Sequence, residues 1–283
     1  MVRMGDVWDR AVEVLRGRSS ILGSIALGAI FVPTLVGNAV SAFLTPAAAG
    51  AGAAPSTGAL GAVLALAVLL AGIWGQLAML AVSSDPATTR ADAARQATQR
   101  LLPALGIVLL LGLVFTLAFV PLIVILMRAG VDFTSATAVQ SVSAGTAGSA
   151  SLYILVLLVL GLVVGARLLL LNAVIVNERR GIGSILRSVR LTRGMTGRIV
   201  GLMLLFALVL LIPTIAVQSV VGLIARLVLG GDAPGLVAFL AGAAGAVVTT
   251  IFSVVAAAFT AQLYVAAVAD KDGSAGTGAS IGI

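Results

Sequence analysis

The sequence predicts an all-α polytopic membrane protein, a bundle of six transmembrane helices. Of its 283 residues, 60% are hydrophobic and only 10% are charged, against about a quarter in an ordinary soluble domain. Six apolar stretches are long enough to cross a hydrocarbon core of about 30 Å, which takes about 20 helical residues. Their hydrophobicity is continuous rather than alternating, which favours helices over barrel strands. A soluble enzyme or soluble binding domain is excluded.

The six spans follow one another along the chain, and we place them at residues 21–44, 59–82, 101–127, 151–176, 199–229 and 235–269. The first run is too long for the apolar region of a signal peptide, and its N-terminal flank mixes acidic residues with arginine, so we expect a retained helix. Residues 270–283 are rich in Gly, Ser and Ala and are predicted to form a disordered cytoplasmic tail.

The charges predict the orientation. Arginine clusters precede the first, third and fifth spans, so that all but three of the 17 basic residues fall on one side. By the positive-inside rule this side is cytoplasmic, and so are both termini. The clusters are Arg3, Arg10, Arg16 and Arg18; Arg90, Arg95 and Arg100; and Arg179, Arg180, Arg187, Arg190, Arg193 and Arg198.

Short motifs recur three times, which predicts internal symmetry. The odd spans share a proline motif at Pro33, Pro121 and Pro213, and the even spans share a motif whose polar positions are Gln76, Arg167 and Gln262. An amphipathic segment precedes each odd span, at residues 7–16, 87–99 and 182–193, and is expected to lie in the cytoplasmic interface.

The predicted domain is therefore a single transmembrane unit, residues 1–269, built from three parallel repeats at roughly 1–84, 85–178 and 179–269. Each repeat consists of an interfacial amphipathic helix and two spans. Because two spans return the chain to the same side, the copies share one orientation and are predicted to be related by a pseudo-threefold axis along the membrane normal.

Arg167 is the exceptional residue of the spans. It lies ten residues before Asn177, which places it about 15 Å inside the cytoplasmic boundary, near the midplane of the membrane. An arginine there costs at least about 2.5–3.5 kcal/mol on insertion scales and should face protein or water. The spans offer it no carboxylate, so its expected partners are Gln76, Gln262, backbone carbonyls, water or an anion such as a lipid phosphate. Two hypotheses remain open: an anion or headgroup site, and a packing node between helices.

The chemistry open to this chain is restricted by its composition. It contains no Cys and no His, which excludes zinc thiolates, His-based metalloproteases and Ser-His-Asp hydrolases. We therefore expect no catalytic residue, no metal and no cofactor. Aromatic residues are 5% of the chain and form no basic-aromatic groove, so nucleic acid is not expected as a partner. Anionic lipid headgroups at the cytoplasmic face are the expected partner, and a protein partner is left open.

The segment that leads from the fourth span into the fifth carries a recognisable pattern over residues 162–205. Its positions are Arg167, Glu178, Ser188, Leu191, Thr192 and Gly194. In this pattern the segment resembles the glycerophosphoryl diester phosphodiesterase membrane-domain family. Two positions depart from the pattern, since Ala173 stands where the family usually has Pro and Ser184 where Ala is common. The resemblance implies a non-catalytic, multi-pass protein of the bacterial cytoplasmic (inner) membrane that is connected with phospholipid or glycerophosphodiester handling.

Two functions follow as hypotheses. The first is a non-enzymatic integral membrane protein that is lipid-associated or serves as a membrane scaffold or accessory protein. The alternative is a transporter or permease component with a polar site near Arg167. The alternative requires a water-filled cavity that reaches Arg167.

Overall fold

The structure is a computed structural model that describes residues 3–44, 58–131, 143–178, 183–230 and 232–279. Within these ranges it is helical and contains no strand, so the all-α prediction is confirmed. The elements are α1 (Met4–Ala26), a π-helical turn (Leu27–Phe31), α2 (Val32–Leu44), α3 (Gly58–Ser84), α4 (Arg90–Arg128), α5 (Ala144–Leu168), α6 (Leu171–Glu178), α7 (Gly183–Thr192), α8 (Thr196–Leu229) and α9 (Pro234–Ala279).

Six segments are long and apolar enough to cross a membrane, and each contains one predicted span. They are Met4–Phe43, Gly58–Ser84, Arg90–Arg128, Gly145–Glu178, Thr196–Leu229 and Pro234–Asp270. The chain is therefore a multi-pass membrane protein. α9 lies at the centre of the bundle and packs against α1, α2, α3, α6, α7 and α8.

Two of the three predicted interfacial segments are not separate helices. Residues 7–16 belong to α1, which continues into the first span after a kink at Arg18, where φ is −131° and ψ is 17°. Residues 90–99 belong to α4, which runs on through Pro103. The first residues of the predicted segment 87–99 belong instead to a turn, in which the Ala87 N–H donates to the Asp85 carboxylate, 2.8 Å away. Only α7, which covers most of residues 182–193, is a helix of its own.

The C-terminal helix is longer than the predicted span. α9 continues to Ala279, ten residues into the segment for which the sequence predicts a disordered tail, and residues 280–283 lie outside the described ranges. No proline interrupts residues 270–279, so the backbone hydrogen bonds of the helix can continue past the apolar segment.

Hydrogen bonds gather the arginine-rich segments at one end of the bundle, which we call the basic end. The Arg18 Nη1 atom lies 2.9 Å from the Val82 carbonyl oxygen and 3.2 Å from those of Asp85 and Thr88. This side chain therefore joins the kink in α1 to the end of α3 and to the turn before α4. On the other side of α3, the Asn177 amide of α6 donates to the Ser84 hydroxyl, 3.2 Å away.

The buried side chains are also concentrated toward the basic end. Leu22, Met79, Ala97, Ile175 and Leu263 belong to five different helices and are all at most 1% exposed. At the opposite end, which we call the far end, fewer side chains are buried. Residues 112–117 of α4 are all exposed. The helices meet there through individual contacts, such as the Tyr153 hydroxyl of α5 donating to the Ala118 carbonyl of α4, 2.7 Å away, and the rings of Phe43 and Phe239, 5.7 Å apart. The interior is therefore packed most densely at the basic end.

The π-helical turn lets the first span approach α3 closely. The Val32 N–H donates to the carbonyl of Leu27, five residues earlier, and Pro33, which has no N–H to donate, follows directly. A Cβ atom at Gly75 of α3 would lie only 2.7 Å from the Ala29 Cβ. Glycine is needed at this crossing because any side chain would force the two helices apart.

Replacing Arg18 by glutamine should lower the stability of the bundle. Three carbonyls at the end of α3 and in the following turn would lose their charged donor, and a hydrogen bond from a charged group contributes about 1–3 kcal/mol. Thermal unfolding in detergent, followed by circular dichroism, measures the change. Arg16→Gln is the matched control, because Arg16 is exposed and lies on the same helix. Equal melting of the two variants would contradict the capping role of Arg18.

Candidate functional site at the break in the fourth span

The helix of the fourth span is interrupted at residues 169–170, an interruption that we call the break. α5 ends at Leu168 and α6 begins at Leu171. The Arg167 carbonyl oxygen accepts a hydrogen bond from the Ser188 hydroxyl at 2.8 Å. The Thr192 hydroxyl makes a longer contact with the same oxygen, 3.3 Å, and shares its proton with the Ser188 carbonyl, 2.9 Å away. An unsatisfied carbonyl in hydrocarbon costs several kcal/mol. The two hydroxyls of α7 therefore stabilise the break.

α7 faces the protein with its hydroxyl side chains. Ser184, Ser188 and Thr192 lie one turn apart along the helix and are each 0% exposed. Leu186 is 67% exposed, so part of the apolar stripe predicted at residues 182, 185, 186 and 189 points away from the bundle. Ile182 lies outside the described residues. This arrangement suits a helix in the membrane interface, with small polar side chains toward the protein and apolar ones toward lipid.

Glu178 ties three helices together at the end of α6. Its Oε1 atom lies 3.0 Å from the Arg187 Nε atom of α7 and 3.3 Å from the Tyr264 hydroxyl of α9. The carboxylate side chain is 16% exposed and the arginine side chain 27%. Water therefore screens the pair only partly, and its geometry fixes α7 against α6 and α9.

The other two family positions shape the path of the chain through the site. Leu191 is 1% exposed and packs in the cluster that contains Leu170, Val174 and Tyr264. Gly194 has a φ of +92° in the turn between α7 and α8, a conformation that side chains with a Cβ rarely adopt. The resemblance motif thus coincides with the residues that dock α7 on the broken span.

The hydrogen bonds to α7 set the level of Arg167 relative to that helix. Leu169 in the break keeps helical backbone angles, with φ at −53° and ψ at −39°, so the depth of about 15 Å that the spacing to Asn177 indicates stays a prediction. α7 packs back beside the break. The backbone of Arg167 therefore lies at the level of α7, the helix that carries the exposed Arg190.

The three residues predicted to form a polar site, Arg167, Gln76 and Gln262, differ in their hydrogen-bond partners. Arg167, Gln76 and Gln262 are all half-buried. The Gln262 amide donates to the Ser83 carbonyl, 2.7 Å away, and so links α9 to α3. Among the described residues, the Arg167 guanidinium makes no hydrogen bond or ion pair, and no bond joins it to either glutamine. The packing node is thus the carbonyl of Arg167, and an anion site at its guanidinium stays a prediction.

Sequence reasoning did not identify the partners that complete this site. Tyr264 and Arg187 were not singled out as contacts of Glu178, and the break at residues 169–170 lies in an uninterrupted leucine run. The available signal was the spacing of Ser184, Ser188 and Thr192, which places three hydroxyls on one face of a helix. Within the described ranges, no group of three or more acidic side chains is placed to hold a metal ion.

No protein-family model matches the chain, and searches of curated proteins and of solved structures find no match. The resemblance of residues 162–205 to the glycerophosphoryl diester phosphodiesterase membrane-domain family therefore stays a prediction.

Removing the hydroxyls that cap the Arg167 carbonyl should destabilise the protein. Ser188→Ala or Thr192→Val leaves the carbonyl with fewer donors, and a buried unsatisfied group costs about 1–3 kcal/mol. The double variant should differ from the sum of the single variants, because both hydroxyls share one acceptor. Thermal unfolding in detergent gives these differences.

Thr116→Val is the matched control, since that hydroxyl donates to the Gly112 carbonyl of its own exposed helix segment, 2.9 Å away. If Thr192→Val melts like Thr116→Val, the capping bond at the break is not a significant source of stability.

Proposed function

We propose that this chain is a non-enzymatic integral membrane protein that associates with anionic phospholipid through Arg167, as a lipid-associated protein or as a membrane scaffold or accessory protein. One observation carries the proposal. The Arg167 guanidinium is half-buried and has no hydrogen bond or ion pair among the described residues. A half-buried guanidinium is stabilised by a polar partner. Among the described residues the Arg167 carbonyl has donors, but the side chain has no acceptor.

The chemistry of the surroundings favours a phosphate as that partner. A guanidinium presents planar paired donors that match phosphate oxygens. α7, which lies beside Arg167, adds the exposed Arg190, and Arg193 follows in the turn. Arginines grouped at the edge of a bilayer attract anionic headgroups. A lipid phosphate at Arg167 would therefore lie at an edge of the bundle where further arginines add positive charge.

The localisation belongs to the same proposal. We place the basic end in the cytoplasm of a bacterial cell, with both termini on that side of the cytoplasmic (inner) membrane, because of the arginine clusters that precede the odd spans. The family resemblance points to the same membrane. We also propose the threefold repeat. Its copies differ in detail, because the first contains the π-helical turn and the second contains the break.

The transporter or permease hypothesis rests on a polar site shared by Arg167, Gln76 and Gln262. The Gln262 amide is used between helices, on the Ser83 carbonyl. We therefore favour lipid association over transport.

Arg167→Gln should weaken the binding of phosphatidylglycerol by about tenfold, the value of one charged hydrogen bond. Native mass spectrometry of delipidated protein, titrated with phosphatidylglycerol in detergent, measures the effect. Arg167→Lys should retain part of the affinity, since it keeps the charge but loses the paired donors.

Arg128→Gln is the control for a general charge effect, because Arg128 is exposed and lies at the far end of α4. Unchanged thermal unfolding of Arg167→Gln shows that the variant folds. If that variant binds phosphatidylglycerol as tightly as the unaltered protein, Arg167 is not the headgroup site.

The proposed orientation can be tested by cysteine labelling, because the natural chain contains no cysteine. Single replacements at Asp6, near the N-terminus, and at Ser84, the last residue of α3, should react only after the membrane is made permeable to a charged maleimide. Asp232, between α8 and α9, should react in intact cells. The reverse pattern would place the basic end outside the cell.

A further inference from the structure

A groove between α1, α3 and α4 opens beside the basic end, away from the break in the fourth span. Its volume is about 400 Å³. Its lining includes Arg90, the first residue of α4, and it also includes Ala71 and Trp74 of α3. Gly28 of the π-helical turn and Ala94 of α4 also line it. The groove thus combines a cation with a surface of small and apolar side chains.

From this combination we infer that the groove is a binding site for one molecule of anionic phospholipid from the leaflet at the basic end. The phosphate would bind Arg90, and one acyl chain would lie along the groove. The site uses other helices than Arg167 does, so the inference goes beyond the proposed function and does not depend on it.

The charge at the opening is available to a ligand. Arg90 is exposed, and among the described residues its side chain has no hydrogen bond or ion pair. The carboxylate of Asp92, on the same turn of α4, accepts a hydrogen bond from the Thr89 hydroxyl, 2.6 Å away, and not from Arg90. A phosphate at Arg90 would therefore not have to displace an existing partner.

The interior suits a hydrocarbon chain. An added Cβ atom at Gly28 would meet nothing within 4 Å, and alanines form the facing parts of α3 and α4. The Trp74 indole N–H already donates to the Thr98 hydroxyl, 3.1 Å away. The Ser24 hydroxyl donates to the Ile21 carbonyl, 2.8 Å away. With these donors used, the groove presents mainly apolar surface below the arginine.

The position of Trp74 along α3 matches the depth of one leaflet. Trp74 lies ten residues before Ser84, the last residue of α3 at the basic end, which corresponds to about 15 Å along a helix. That length is half of a hydrocarbon core of about 30 Å. A lipid with its phosphate at Arg90 would therefore bring its acyl chain past Trp74, as a phospholipid of that leaflet requires.

Trp74 allows the site to be tested directly. The chain has two tryptophans, so Trp8→Phe leaves Trp74 as the single fluorescent reporter. The protein is reconstituted into phosphatidylcholine vesicles containing a small fraction of phosphatidylglycerol, with brominated acyl chains on one lipid at a time. Brominated phosphatidylglycerol should quench Trp74 more strongly than its fraction of the bilayer lipid predicts. The expected preference over phosphatidylcholine is about tenfold, the value of one charged hydrogen bond.

Two pairs of variants separate the charge from the groove. Arg90→Gln should abolish the preference for phosphatidylglycerol, whereas Arg95→Gln, an exposed arginine on the same helix, should preserve it. Gly28→Leu should exclude the acyl chain and reduce the selective quenching. Gly112→Leu adds the same side chain at an exposed position of α4 with open space and should leave the quenching unchanged. Ala71→Leu serves in place of Gly28→Leu if that variant unfolds.

Equal quenching by the two brominated lipids, each in proportion to its share of the bilayer, would overturn the inference. A preference for phosphatidylglycerol that persists in Arg90→Gln or in Gly28→Leu would also overturn it. The measurement is repeated with Arg167→Gln. Because Trp74 reports the groove between α1, α3 and α4, loss of lipid at Arg167 and loss of lipid at Arg90 give separate results.

Discussion

The arrangement of this protein depends on a backbone carbonyl that a broken helix leaves inside the membrane-spanning region. The Arg167 carbonyl can be satisfied only by a donor brought from elsewhere, because a lipid chain supplies none. Ser188 and Thr192 provide that donor from the next helix of the chain. Their position requires α7 to turn back against the break, and Glu178, Leu191 and Gly194 are the residues that make the return possible.

The same constraint operates at the end of α3, with a charged donor in place of hydroxyls. The last carbonyls of a helix have no partner within it, and here the Arg18 guanidinium reaches them from the kink in α1. Side chains from a distant part of the chain therefore satisfy backbone acceptors at two places on the basic end. In both cases a polar contact fixes the relative position of helices whose apolar surfaces would otherwise slide past one another.

The number of spans could be predicted from the sequence, but the interruptions within the spans could not. Composition alone places the apolar runs, since crossing hydrocarbon demands about 20 apolar residues whatever the neighbours are. The break after Leu168 has no such signal, because Leu169 and Leu170 favour helix and no proline or glycine separates them from α6. It depends on hydroxyls more than 20 residues away in sequence, at Ser188 and Thr192. Local patterns do not contain that information, and for the same reason the merging of residues 90–99 into α4 was not foreseen.

The uneven distribution of the interior has a mechanical consequence. Packing is densest at the basic end, whereas residues 112–117 of α4 are exposed. The far half of α4 meets α5 through single contacts, such as Phe115 against Gly161 and the Tyr153 hydroxyl on the Ala118 carbonyl. The tilt of this loosely held pair of half-helices responds to the thickness of the surrounding hydrocarbon, because mismatch is accommodated by tilting. In a thin membrane the far halves of α4 and α5 would lean outward about a fixed base, and in a thick one they would stand upright. This side of the far end is therefore less rigid than the basic end, and the bilayer itself sets its outline.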